Sequence, residues 1–168
     1  MDSVERMLDQ VARKGSWMGG GSVVALTTAF AAALLEKLTA AARPAERLRR
    51  IRRDCLGLVE RDAAAFARVI EATRSNDLRQ FARCLKAATE IPYRLVRHAA
   101  GIQAACRMVE RAISPRFRSD LRCAQALARC ADASARALIA ANLDWLNDAA
   151  YAKVMRRRLT LIAHRHVD

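Results

Sequence analysis

The sequence predicts an all-α fold, an antiparallel bundle of long helices, on three observations. Glycine and proline number only 6 and 3 in 168 residues, and alanine, the best helix former, is abundant. Aromatic residues make up 5%, and β-branched ones are scarce, which excludes a sandwich or barrel. Apolar residues recur at spacings of three and four over many consecutive turns. At this length a single domain over residues 1–168 is expected, large enough to bury a core without staples.

The elements follow in order. A first helix from Ser3 to Lys14 places Val4, Met7, Leu8 and Val11 on one face. Gly15 to Ser22 holds four of the six glycines. The next helix, Ser22 to Ala42, is apolar all round over its first turns, which suits the middle of a bundle. Pro44 marks a boundary. The third helix, Ala45 to Thr73, carries the stripe Leu48, Ile51, Cys55, Leu58, Asp62, Ala65 and Val69. Asp77 caps a fourth, which Pro92 should kink or interrupt before it ends at Ser114-Pro115. Ser119-Asp120 is a start signal for the last long helix. Its stripe runs Leu121, Ala124, Ala128, Ala131, Ala135, Leu138, Asn142, Trp145 and Ala149. Asn147-Asp148 breaks it before a basic final helix. Faces this rich in alanine allow close approach, and helices this long pair with a second subunit, so a homodimer is expected.

Thirty Lys and Arg against 17 Asp and Glu give a net charge of +13, which points to an anionic partner. Arg47 to Arg53 and Arg156-Arg157-Arg158 lack interleaved aromatics and any nucleic-acid motif, so they read as solvated faces and nucleic acid is disfavoured. The five cysteines contain no C-x-x-C and sit at apolar helical positions, which suits buried thiols in a reducing compartment. The chain shows no signal-peptide pattern. Its longest apolar run, Val23 to Leu35, is too short for a bilayer. A soluble, cytoplasmic protein is expected, without metal: His98, His164 and His166 lack companion ligands.

Asp62 is the position that a plain core cannot explain. A carboxylate on a core stripe is desolvated, which raises its pKa toward the range of a general acid/base; a buried salt bridge to an arginine is the structural alternative. Gly19-Gly20-Gly21-Ser22 at a helix start allows close backbone approach to a ligand; equally, it is a hinge with Ser22 as N-cap. Arg118 beside Ser119-Asp120 could grip a carboxylate. Asn142, an amide on an apolar stripe, needs a partner or a ligand.

In this order the features resemble the formimidoyltetrahydrofolate cyclodeaminase family, which includes methenyltetrahydrofolate cyclohydrolases. The resemblance rests on Gly19-Gly20-Gly21-Ser22-Val23, Leu38-Thr39, Asp62-Ala63-Ala64-Ala65-Phe66, Ile91-Pro92, Ser119-Asp120-Leu121 with Ala124, and Asn142-Leu143 with Asp148. The chain departs from the pattern at Met18, at Leu138, and in the short turn Arg74 to Asp77. The resemblance implies an all-helical dimer acting on a tetrahydrofolate adduct without a cofactor. Either formimino-tetrahydrofolate becomes methenyl-tetrahydrofolate with release of ammonia, or 5,10-methenyl-tetrahydrofolate is hydrolysed to formyl-tetrahydrofolate. Asp62 would be catalytic, and Gly19 to Ser22, Arg118, Ser119, Asp120 and Asn142 would bind substrate. The competing readings are a non-catalytic relative that binds folate or a protein partner, and a basic nucleic-acid-binding helical protein.

Overall fold

The structure, a computed structural model, describes residues 2–39 and 42–164. Six α-helices and one 3₁₀ turn form its framework, with no strand among the described residues. They are α1 (Asp2–Ala12), α2 (Gly20–Leu38), α3 (Ala42–Arg74), α4 (Leu78–Glu110), α5 (Arg118–Leu146) and α6 (Ala149–His164), with the 3₁₀ turn at Pro115–Phe117 before α5. Helices α3 and α4 each have 33 residues, about 50 Å of helix at 1.5 Å per residue. The all-α antiparallel bundle is the expected fold.

Helix α2 occupies the centre and packs against α3, α4 and α5. Its Ala25, Ala31, Ala32 and Leu35 are fully enclosed. By length and composition α2 could cross a membrane, but half of its apolar window is buried inside the bundle. On α5, Ala124, Ala128, Ala131 and Ala135 are all buried; side chains this small let helix axes come close. On α3 every expected stripe position except Asp62 is buried.

Local chemistry sets the connections. Asn76 takes a left-handed φ of 54° in the α3–α4 turn, and Asp77 caps α4 by accepting the Gln80 amide at 2.9 Å. Asn147, with φ 51°, ends α5. Asp148 then caps α6 through the Tyr151 amide at 2.9 Å and pairs with Lys86 of α4 at 2.7 Å.

Several expectations are corrected. Gly20 and Gly21 lie inside α2, whose N-cap is Gly19, so Ser22 is not a cap. Likewise Phe117 occupies the α5 cap position without a side-chain bond, and Ser119 and Asp120 fall in the first turn. Helix α4 runs unbroken through Pro92; Pro92 is buried, and α3 and α5 pack against the helix it sits in, which offsets the lost hydrogen bond. The α4 helix also stops at Glu110 rather than at Ser114. The α5 seam changes step after Ala135: Ile139 and Leu143 are buried, while Leu138 and Asn142 lie at the edge and Trp145 is exposed. Val4, Leu8 and Val11 of α1 are exposed, while Met7 of the same helix packs against the core. Cys55 and Cys106 are buried, but Cys123 and Cys130 are exposed; all five cysteines are free. The expected α2 end at Ala42 spans residues 40 and 41, which lie outside the described residues, as does His166.

Candidate functional site

The first turn of α2 and the middle of α3 converge on Asp62. The Ser22 hydroxyl lies 3.1 Å from the Val59 carbonyl oxygen and 3.2 Å from Asp62 Oδ2. Helix α2 can come this near because Gly21 has no side chain. A Cβ there would fall on the Asp62 carboxyl, 2.6 Å from Oδ2 and nearer still to Oδ1.

Burial pushes the Asp62 pKa above the ordinary carboxylate value, against hydrogen bonding from the Ser22 hydroxyl and backbone amide, which holds it down. Among the described residues no cation pairs with Asp62. The arginine salt bridge, the alternative reading of this carboxylate, does not occur among the described residues. What the arrangement offers is a partly sheltered carboxyl at the surface edge of α2 and α3, able to gain or give a proton, with a hydroxyl at one oxygen.

The other residues singled out in the sequence divide into two groups. Leu138 of α5 packs beside Gly20, its Cδ2 3.5 Å from where a Cβ would stand. Asn142 follows one turn later on α5, half-buried and making no side-chain hydrogen bond among the described residues. By register it stands on the glycine side of the bundle. Arg118, Ser119 and Asp120 belong to the opposite end. Asp120 bonds Lys37, at the α2 C-terminus, at 3.1 Å. Gly20 and Lys37 are separated by about 25 Å of helix, so one chain does not bring these three residues to Asp62.

Sequence reasoning passed over a second cluster. His98 Nε2 lies 2.6 Å from Asp54 Oδ2, and Arg94 donates to Asp54 Oδ1 at 2.6 Å. Burial lowers the His98 pKa against the bond to Asp54. The available signal was that Arg94 and His98 stand at i and i+4 on α4, where their side chains share a face. No group of three ligands able to hold a metal occurs among the described residues. The Cys55 and Cys106 thiols are pushed by burial to about 12 and about 11, which leaves neither nucleophilic at neutral pH.

Comparison with known proteins joins this geometry to a lineage. A comparison with curated protein sequences gives no match. Among solved structures the chain is similar to the formiminotetrahydrofolate cyclodeaminase of Thermotoga maritima. The TM-score is 0.88 at 21% identity, over 95% of this chain and 87% of that one, which is a likeness of fold. The model of the formiminotransferase-cyclodeaminase family matches residues 3–160, a span that contains Gly19–Ser22, Asp62 and Asn142, and the chain belongs to that family.

Proposed function

We propose that this protein, as one domain over residues 1–168, is a cytoplasmic folate one-carbon enzyme, a formimidoyltetrahydrofolate cyclodeaminase. Asp62 is its proton-transferring carboxyl. The observation that carries this reading is a partly buried carboxyl with no cationic partner among the described residues, bonded by the Ser22 hydroxyl in the first turn of α2. The family membership supports the substrate class.

The substrate enters with its N5-formimino group protonated. N10 attacks the formimino carbon, giving a tetrahedral centre, and ionised Asp62 takes the proton released by N10. The same carboxyl then gives that proton to the amino nitrogen. The C–N bond breaks, neutral ammonia leaves, and the charge remains on the 5,10-methenyl product. A raised pKa suits both halves of the transfer. The Ser22 hydroxyl orients the carboxyl, and Asn142 supplies an amide to the pterin. With 5,10-methenyl-tetrahydrofolate the same carboxyl could instead activate water, and assaying both substrates separates the two reactions.

Apolar side chains flanking the site are exposed in one copy, and a homodimer would cover them. Val23 and Phe30 of α2 are 37% and 57% exposed, and Phe66, one turn after Asp62, is 54% exposed. A two-fold axis near Phe30, the middle of α2, sets the α2 start of one copy beside the α2 end of the other. The partner's Ser119 and Asp120 then stand near this chain's Asp62, and both halves of the expected folate site meet.

The test is turnover of formimino-tetrahydrofolate, read as the appearance of methenyl absorbance. Asp62→Asn should lower the rate by about 10²–10⁴-fold, with folate binding retained. Undiminished turnover in that variant overturns the assignment of Asp62. Absence of turnover in the unaltered protein, with saturable folate binding, would instead select the non-catalytic reading.

A further inference from the structure

A groove of about 1440 Å³ opens on the side of the bundle away from α2, between the N-terminal half of α3, the middle of α4 and the end of α6. Six arginines line it: Arg43, Arg47, Arg50, Arg94, Arg97 and Arg158. Asp54, on its floor, is eight residues before Asp62, about 12 Å along α3, and faces α4 through its bonds to Arg94 and His98. The groove is thus separate from the carboxyl site.

Half of these arginines are already engaged. Arg94 bonds Asp54, Arg50 lies 3.8 Å from Glu46, and Arg158 grips Glu90 with bonds of 2.5 and 2.7 Å. Arg43, Arg47 and Arg97 make no ion pair or side-chain hydrogen bond among the described residues. Three uncompensated guanidinium groups therefore face one concave space. Arg43 and Arg47 stand one turn apart on α3, about 6 Å along its axis, with Arg97 on neighbouring α4.

We propose that this groove is a second ligand site, which binds an oligophosphate through Arg43, Arg47 and Arg97. A guanidinium fork matches phosphate oxygens with two parallel hydrogen bonds. A run of linked phosphates concentrates at least three negative charges within a few ångströms, as three adjacent unpaired arginines require; a lone carboxylate would satisfy only one. The volume exceeds the roughly 300–1,000 Å³ of ordinary small-molecule pockets, so the ligand is extended rather than a single phosphate. Recognition goes through the phosphates rather than through base stacking: Arg158 already covers the Tyr93 ring at 3.8 Å.

The test is calorimetric titration of the full chain with inorganic tripolyphosphate at about 150 mM salt, where exposed charges are screened beyond about 8 Å. One saturable site is expected. The pair Arg47→Ala with Arg97→Ala should weaken it by about tenfold or more. The pair Arg122→Ala with Arg129→Ala, exposed on α5 and equal in charge removed, should leave it nearly unchanged, as should Asp62→Asn. Circular dichroism of equal helicity confirms that each variant is folded. Tighter binding of a nucleoside triphosphate would identify a nucleotide as the source, and equal binding a free polyphosphate. Equal weakening by both arginine pairs, no saturable site, or equally tight binding of a triglutamate peptide overturns the proposal.

Discussion

Ser22 has one hydroxyl proton and two acceptors in reach, the Val59 carbonyl and Asp62 Oδ2. With Asp62 protonated, its O–H donates to Ser22, Ser22 donates to Val59, and the chain of bonds closes. With Asp62 ionised, the Ser22 hydroxyl is shared between the two acceptors, and the Ser22 backbone amide also bonds the carboxylate. Burial raises the Asp62 pKa, and the hydrogen bonds from Ser22 oppose that shift without cancelling it. Because the folded pKa lies above the unfolded one, the stabilising contribution of Asp62 is fully present below the unfolded value. It is lost as pH rises through the folded value. Asp62→Asn keeps a donor toward Ser22 and cannot ionise. It should melt above the unaltered protein at neutral pH, with the gap closing as pH falls into the ordinary carboxylate range; a gap constant with pH would contradict the shift. The sequence showed Asp62 as anomalous because a charge on a strict core stripe is visible in one dimension. The role of Ser22 was not legible, since its partners lie 37 and 40 residues away.

Between elements, the contact that matters is the crossing of α2 and α3 at Gly21. The glycine run invited a loop reading, but Gly20 and Gly21 are helical. Gly21 is small because the neighbouring helix carries its carboxyl into that space. Gly21→Ala should cost about 1–3 kcal/mol of stability, as overpacked sites do, measured by urea unfolding. It should also lower turnover by about 10²-fold or more, since displacing the carboxyl removes a positioned acid/base. Full activity with unchanged stability would show that α2 and α3 part freely. Helix existence and order were readable from periodicity. The α5 seam was not, because the step from Ala135 to Ile139 to Leu143 follows the twist of the helices it meets rather than a fixed repeat.

For the whole molecule, the charge of +13 divides into parts that composition cannot separate. Arg49 and Arg52 are not on a solvated face as the sequence suggested, but hold Glu36 of α2 at 3.0 and 3.1 Å. Arg158 pins α6 to α4 through Glu90. Others gather in the groove beside α6. The apolar surface divides as well: Val23, Phe30 and Phe66 are exposed together with Val4, Leu8 and Val11 of α1, more than an isolated copy needs. Light scattering should therefore find twice the chain mass of 18.6 kDa. Phe30→Glu should shift the protein to monomer and lower turnover in parallel. A monomeric unaltered protein with full activity would overturn the shared site.

Helix α2 is fastened to α3 at two places, Ser22 against Val59 and Asp62 at one end and Glu36 against Arg49 and Arg52 at the other. Fourteen residues separate Ser22 from Glu36, about 21 Å of helix. The two helices therefore act as matched gauges, with residue count setting where the hydroxyl meets the carboxyl. One residue inserted between the fastenings would rotate Ser22 by about 100° away from Asp62.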